Sequence, residues 1–253
     1  MRCRGAYARR VDVAEGLRVL VAAGYGAGAG GLLPRAAYRL SVEPEEAWRD
    51  RCPAGHRLRG PAGGWLGPAR CAACGSYGPS ARVFAAASAV ACAALAVAVG
   101  PRPELGVWLL AVPVALLLAG VDRAVNRLPD ILTLPLAFGT AALLGVASLL
   151  PGAAGSWTRA LLGGLVLGAA YGVLFLIQPN AMGFGDVKLA LALGVALGWY
   201  GWGALLTGAF LGFLAGAVYG TALVLRGRAS RSSALAFGPF MVLGALAGLL
   251  LAA

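Results

Sequence analysis

Acidic residues are scarce in this sequence. It holds ten Asp and Glu in 253 residues, and past Glu104 only Asp122, Asp130 and Asp186 remain. Charged residues of both signs make up 12% of the chain, against roughly a quarter in a soluble domain. With 60% hydrophobic residues, the chain is no ordinary soluble globule and is expected to be an all-α polytopic membrane protein. Lysine is also nearly absent. The net charge of +11 is carried by twenty arginines and Lys188 alone. These charges are scattered between apolar runs and form little contiguous basic surface, so nucleic acid is not an expected partner. They suit loops that fix topology and touch anionic membrane lipid. No small-residue cleavage site follows the basic segment Met1–Arg10, which is therefore not a tidy signal peptide. No Gly-Lys-Ser/Thr follows the glycine run 24–31, so that run reads as close helix packing rather than a phosphate loop. No internal repeat is visible.

Eight apolar runs are each about long enough to cross a membrane or close to it. They are Leu17–Leu33, Val83–Val99, Leu105–Val121, Ile131–Leu150, Leu161–Ile177, Val187–Leu197, Ala204–Leu225 and Leu235–Leu251. The sixth run begins either at Val187 or at the glycine-rich stretch just before it. Trp199-Tyr200-Gly201-Trp202 reads as an aromatic turn at a membrane interface. Three parts follow: an N-terminal segment with a first helix (1–40), a polar loop (41–80) and a seven-helix membrane domain (81–253).

The polar loop holds Cys52-Pro-Ala-Gly-His56 and Cys71-Ala-Ala-Cys74. Three thiols and an imidazole are the ligand types that zinc prefers in a closed tetrahedral site. A segment this short cannot build its own core, and a structural metal would fold it. Cys52, His56, Cys71 and Cys74 are therefore the candidate metal ligands. The chain's only His is in the set. Cys3 and Cys92 lie outside it.

Among the three late acids, Asp186 sits in Gly183-Phe-Gly185-Asp186-Val-Lys188. Asp122 and Asp186 are 64 residues apart, which accommodates two crossings and a turn. An even number of crossings returns the chain to the face it left, so both acids share a side. Eight arginines between Arg35 and Arg82, with Arg123, Arg127, Lys188 and three arginines over 226–231, mark that side as cytoplasmic. The opposite short loops carry only Arg102 and Arg159. Five arginines in residues 1–18 argue the other way, since this arrangement puts the N-terminus outside. Two neighbouring carboxylates share a proton, so one acts as base and the other as acid. Such a pair can activate water against a peptide carbonyl and protonate the leaving nitrogen. Gly183 and Gly185 would clear space for a substrate backbone. Lys188 would hold substrate, tune Asp186 or reach for the interface. Taken singly, Asp186 also reads as a helix cap, and Asp122 as a partner for Arg123 or Arg127.

The stretch 183–188 resembles the Gly-x-Gly-Asp motif of intramembrane aspartyl proteases, specifically the type IV prepilin leader peptidases. Asp122-Arg-Ala-Val-Asn-Arg-Leu-Pro129-Asp130-Ile-Leu-Thr133-Leu-Pro135 resembles the segment headed by that family's first aspartate. Ala236-Phe-Gly-Pro-Phe240 resembles its terminal element. The resemblance implies catalytic roles for Asp122 and Asp186, with Asp130 as a neighbouring cap for the helix from Ile131. It further implies a cell-membrane endopeptidase that removes a short basic leader from pilin-like precursors at the cytoplasmic face. Family members also methylate the new N-terminus with S-adenosylmethionine. Two positions depart from the pattern. Gly55, followed by His56, stands where the family's loop has a second cysteine, and Pro34 stands where the first span has an asparagine. Paired acids among apolar helices would also suit a secondary transporter or ion pathway. The Cys/His loop alone would suit a non-catalytic membrane scaffold.

Overall fold

The computed structural model describes the backbone of residues 2–43, 45–179, 182–228 and 235–253, with side chains from residue 13 on. The side chains of Cys3 and of the arginines before residue 13, and all of Asn180 and Arg231, fall outside what it describes. Among the described residues the chain is helical apart from the polar loop. Helix α1 spans Arg2–Leu40, α3 Ala81–Val99, α4 Glu104–Val125 and α5 Asp130–Ala147. Then come α6 over Trp157–Ile177, α7 over Phe184–Tyr200, α8 over Trp202–Leu225 and α9 over Gly238–Ala252. The loop adds a single turn, α2 (Pro61–Gly64), and two short strands, β1 (Arg70–Cys71) and β2 (Gly75–Ser76). Six helices are long and apolar enough to cross a membrane. The other two, α7 and α9, have 17 and 15 residues. This is an all-α polytopic membrane protein.

The helix ends depart from the apolar runs where capping chemistry intervenes. α1 continues through Pro34 to Leu40, since the loop folds back on it. The Gly67 amide donates to the Leu32 carbonyl, and the Arg35 amide to the Gly67 carbonyl. α4 runs one turn past Val121, so Asp122 lies inside it rather than after it. Asn126 ends this helix in the left-handed region (φ 48), which Asn tolerates better than most residues. α7 starts at Phe184, within the glycine-rich motif. α9 starts later than Leu235, with Pro239 in its first turn, where the missing N–H costs nothing.

α7 is the axis of the bundle. Twelve of its seventeen residues are buried, against α5, α6, α8 and α9. It meets α6 backbone to backbone: a Cβ added at Gly163 would lie 2.6 Å from the Gly194 carbonyl oxygen. Small residues allow this approach, and close packing holds helices together in lipid.

Trp199 is fully buried rather than interfacial, because the α5–α6 link covers it. A Cβ at Gly155 would strike its ring, and the Ser156 amide donates to its carbonyl. At this end Glu104 is also fully buried and accepts from the Ala154 amide at 3.2 Å. Trp108 Nε1 donates to the Tyr200 hydroxyl at 3.2 Å.

Candidate active site and candidate metal centre

The C-terminal end of α4 and the N-terminal ends of α5, α7 and α9 meet at the opposite end of the bundle from Glu104. Asp122 and Asp186 are buried there, at 4% and 7% exposure. Both line one cavity of about 290 Å³, together with Leu128, Asp130, Gly183, Gly185 and Lys188 among others. The structure therefore brings together all five residues that the sequence singles out for this site.

Each carboxylate has one oxygen on a backbone amide. The Gly183 amide donates to Asp186 Oδ2 at 3.1 Å, and the Asp186 amide returns a bond to the Gly183 carbonyl at 3.0 Å. Asp186 is therefore not the N-cap residue that the sequence suggests: Gly183 holds that position, and Asp186, at the third residue of α7, accepts from its amide. Asp122 Oδ2 accepts from the Gly238 amide at 2.8 Å. Among the described residues it makes no ion pair with Arg123 or Arg127. Gly238 opens α9, and the first amides of a helix have no partner within it, so they suit a carboxylate.

Two glycines are required by close approach. A Cβ at Gly185 would lie 2.8 Å from Leu128 Cβ, and one at Gly238 would lie 2.8 Å from Asp122 Oδ2. Gly238 was not among the expected site residues. Its signal is Gly-Pro at the start of an apolar run, which marks a helix N-terminus with free amides.

Asp130 does not cap α5. Pro129 occupies the cap position without a side-chain bond, and Asp130 Oδ1 instead lies 2.6 Å from Lys188 Nζ. The Lys188 ammonium also sits 4.9 Å from the Phe184 ring centroid. Lys188 thus reaches across to α5 rather than out to an interface.

The polar loop packs at the same end. Arg127 donates to the Val42 and Glu43 carbonyls at 3.4 and 3.1 Å. Arg35 is nearly buried, with 9% exposure. It donates to the carbonyls of Arg59, Leu66 and Pro68, tying the loop to α1. Within the loop the ligand atoms of Cys52, His56, Cys71 and Cys74 all lie within 4.8 Å of one another and could hold a metal ion. Cys52 Sγ is 3.5 Å from both His56 Nδ1 and Cys74 Sγ, and Cys71 Sγ is 3.7 Å from His56 Nδ1. These separations fit the edges of a tetrahedron with metal–sulfur bonds of about 2.3 Å.

Two tight turns present the ligands. The first closes through the Cys52 amide to the His56 carbonyl, with Gly55 at φ 82. The second is the β1–β2 hairpin, in which Cys71 pairs with Gly75, also at φ 82. A cysteine at position 55 would be strained in that backbone; His56, one residue on, reaches the cluster instead. Burial opposes ionisation of Cys52, but hydrogen bonds from Cys74 and His56 outweigh it and bring the thiol down to about 6. Hydrogen bonds to Cys71 and Cys52 push Cys74 up to about 12.

Residues 109–221, which carry both aspartates, match the profile of the type IV leader peptidase family. The matched stretch, less than half of the chain, is similar to that family. Among its curated relatives are prepilin leader peptidase/N-methyltransferases. That of Aeromonas salmonicida is 35% identical over 144 residues, covering 56% of this chain and 46% of the relative. That of Burkholderia pseudomallei is 35% identical over 144 residues, covering 53% and 42%. That of Aeromonas hydrophila is 37% identical over 147 residues, covering 56% and 47%. The chain matches about half the length of these leader peptidase relatives. No solved structure matches it.

Proposed function

We propose that this chain is a membrane-embedded aspartic endopeptidase that removes the short basic leader from type IV pilin-like precursors. The observation that carries the reading is the shared cavity. Two buried carboxylates, 64 residues apart in sequence, line it, each with one oxygen on a glycine amide.

In this reading Asp122 and Asp186 share one proton, because two adjacent carboxylates in a buried setting do not both ionise readily. The ionised member takes a proton from water as the water oxygen bonds to the peptide carbonyl carbon. The protonated member gives its proton to the leaving nitrogen as the C–N bond breaks. The two amide bonds aim the carboxylates, so that water and peptide meet a fixed geometry. Gly183 and Gly185 leave room for the extended substrate backbone.

The site faces the cytoplasm of a cell-membrane protein, on the arginine bias of its loops, and anionic lipid meets those arginines. The chain divides into the first helix (1–40), the zinc-bearing loop (41–80) and the peptidase domain (81–253). Zinc in the Cys/His cluster supplies no peptidase chemistry; it holds the loop folded. N-methylation, the second activity in the relatives' names, would take its methyl group from S-adenosylmethionine. Methyl transfer from labelled S-adenosylmethionine to cleaved product tests that part separately.

The peptidase reading is tested by co-expression with a pilin-like precursor. The intact chain is expected to shorten it, and Asp122→Asn and Asp186→Asn are not. Undiminished cleavage by either variant would sink the pair. The lining of the bundle disfavours a transporter, since a second cavity of about 150 Å³ within it is walled by apolar side chains and Thr140.

A further inference from the structure

Lys188 is the only lysine in the chain, and it lies two residues from Asp186 in the wall of the same cavity. An ammonium lining one cavity with two buried carboxylates would be expected to pair with one of them. Among the described residues it does not. Its Nζ lies 2.6 Å from Asp130 Oδ1, over the Phe184 ring. The Lys188 side chain is only 20% exposed, whereas that of Asp130 is 60% exposed. Asp130 thus reaches in from the mouth of the cavity to hold a half-buried cation.

The charged groups around Lys188 make this choice consequential. Asp122 lies at the end of α4, Arg127 in the α4–α5 link, Asp130 at the start of α5 and Asp186 on α7 itself. α6 presents no charge here, since its only ionised residue, Arg159, lies in its first turn at the far end. Its neighbouring side chain is Phe175, which packs on Phe184. α8 and α9 carry no acidic or basic residue. Among the described residues, Asp130 is the one acid other than the aspartate pair that lines the cavity with the ammonium. Without it, Lys188 would turn to the pair. A cation there favours ionisation of both carboxylates, and the proton needed by the leaving nitrogen would be lost.

We propose that Asp130 is a positioning residue that holds the Lys188 ammonium away from Asp122 and Asp186, so that the pair keeps its shared proton. The proposal rests on the reading of those two aspartates as the reacting pair.

The test is the pH profile of precursor cleavage by the purified full chain. It compares the intact protein, Asp130→Asn and Asp130→Asn/Lys188→Met. In Asp130→Asn the freed ammonium stabilises the ionised pair, so activity on the basic side is lost at lower pH. We expect that limb to move down by about one pH unit or more, a tenfold loss of rate on the limb per unit. Adding Lys188→Met removes the ammonium and returns the limb towards its position in the intact chain, whatever rate remains.

A contact that merely strapped α5 to α7 would behave differently, because the double variant would lack the strap as well and gain nothing. An unmoved limb in Asp130→Asn, or a limb that stays shifted in the double variant, overturns the proposal. Failure of the intact chain to cleave, or cleavage by Asp122→Asn, overturns the underlying peptidase reading instead and is seen in separate samples.

Discussion

The Gly238 amide donates to Asp122 Oδ2 across 2.8 Å, joining residues 116 positions apart. The last helix thereby completes a site whose two aspartates lie on α4 and α7. Gly238→Ala would place a Cβ 2.8 Å from that oxygen and push the carboxylate aside. A displacement of about 1 Å costs roughly a hundredfold in rate, so a loss of about 10- to 100-fold in precursor cleavage is expected. Unfolding temperature in detergent should change little, since no core side chain is removed. A rate equal to that of the intact chain would show that the amide does not aim Asp122.

The carboxylate pair itself predicts a two-sided pH profile. Activity should fall at low pH as the second carboxylate takes a proton, and at high pH as the shared proton leaves. Asp122→Asn or Asp186→Asn should each lower cleavage by about 10²- to 10⁴-fold, the usual worth of general acid–base groups. Rates on a synthetic precursor across the pH range check both statements.

The Cys/His cluster predicts about one zinc per chain, as for a closed four-ligand site. Metal analysis of purified protein should show it, and Cys71→Ser should lose most of it. Chelation should expose residues 41–80 to protease while leaving the helices protected, because the metal folds the loop and not the bundle.

Arg35 predicts how the loop stays docked. Its guanidinium donates to three loop carbonyls and is almost out of solvent. Arg35→Ala leaves those acceptors without their charged donor, and a hydrogen bond to a charged group is worth about 1.5–3 kcal/mol. Hydrogen exchange over residues 57–68 should rise in this variant, with exchange in α5 and α7 unaltered.

Each of the eight apolar runs of the sequence falls on a helix, six of them long and apolar enough to cross a membrane, because crossing demands continuous apolar length whatever lies around it. The placement of Asp122 and Asp186 in one cavity was legible for a related reason: counting crossings puts both on one face. What was not legible depends on contacts between distant segments. Asp130 reads as a cap because it begins a helix, and only the fold shows Lys188 within its reach. Gly238 gives no sign of serving Asp122, since a free amide at a helix start has no side-chain signature. Trp199 reads as interfacial from its aromatic neighbours, yet the α5–α6 link seals it in. The cysteine cluster was legible from its spacing, while the reason for His56 rather than a cysteine at 55 lies in one backbone angle.

The buried Glu104 end has a consequence for the membrane as an electrical barrier. A hydrolase that admits water partway into a bilayer risks opening a leak for ions. Here the polar cavity enters from one end only, and Trp108, Trp199 and the α5–α6 link close the other. Among the described residues, the buried side chains of α4 to α9 that carry a hydroxyl between those ends are Thr133, Thr140 and Tyr171, too few to carry a chain of hydrogen-bonded water. Vesicles holding this protein should therefore keep a proton gradient as long as empty ones do.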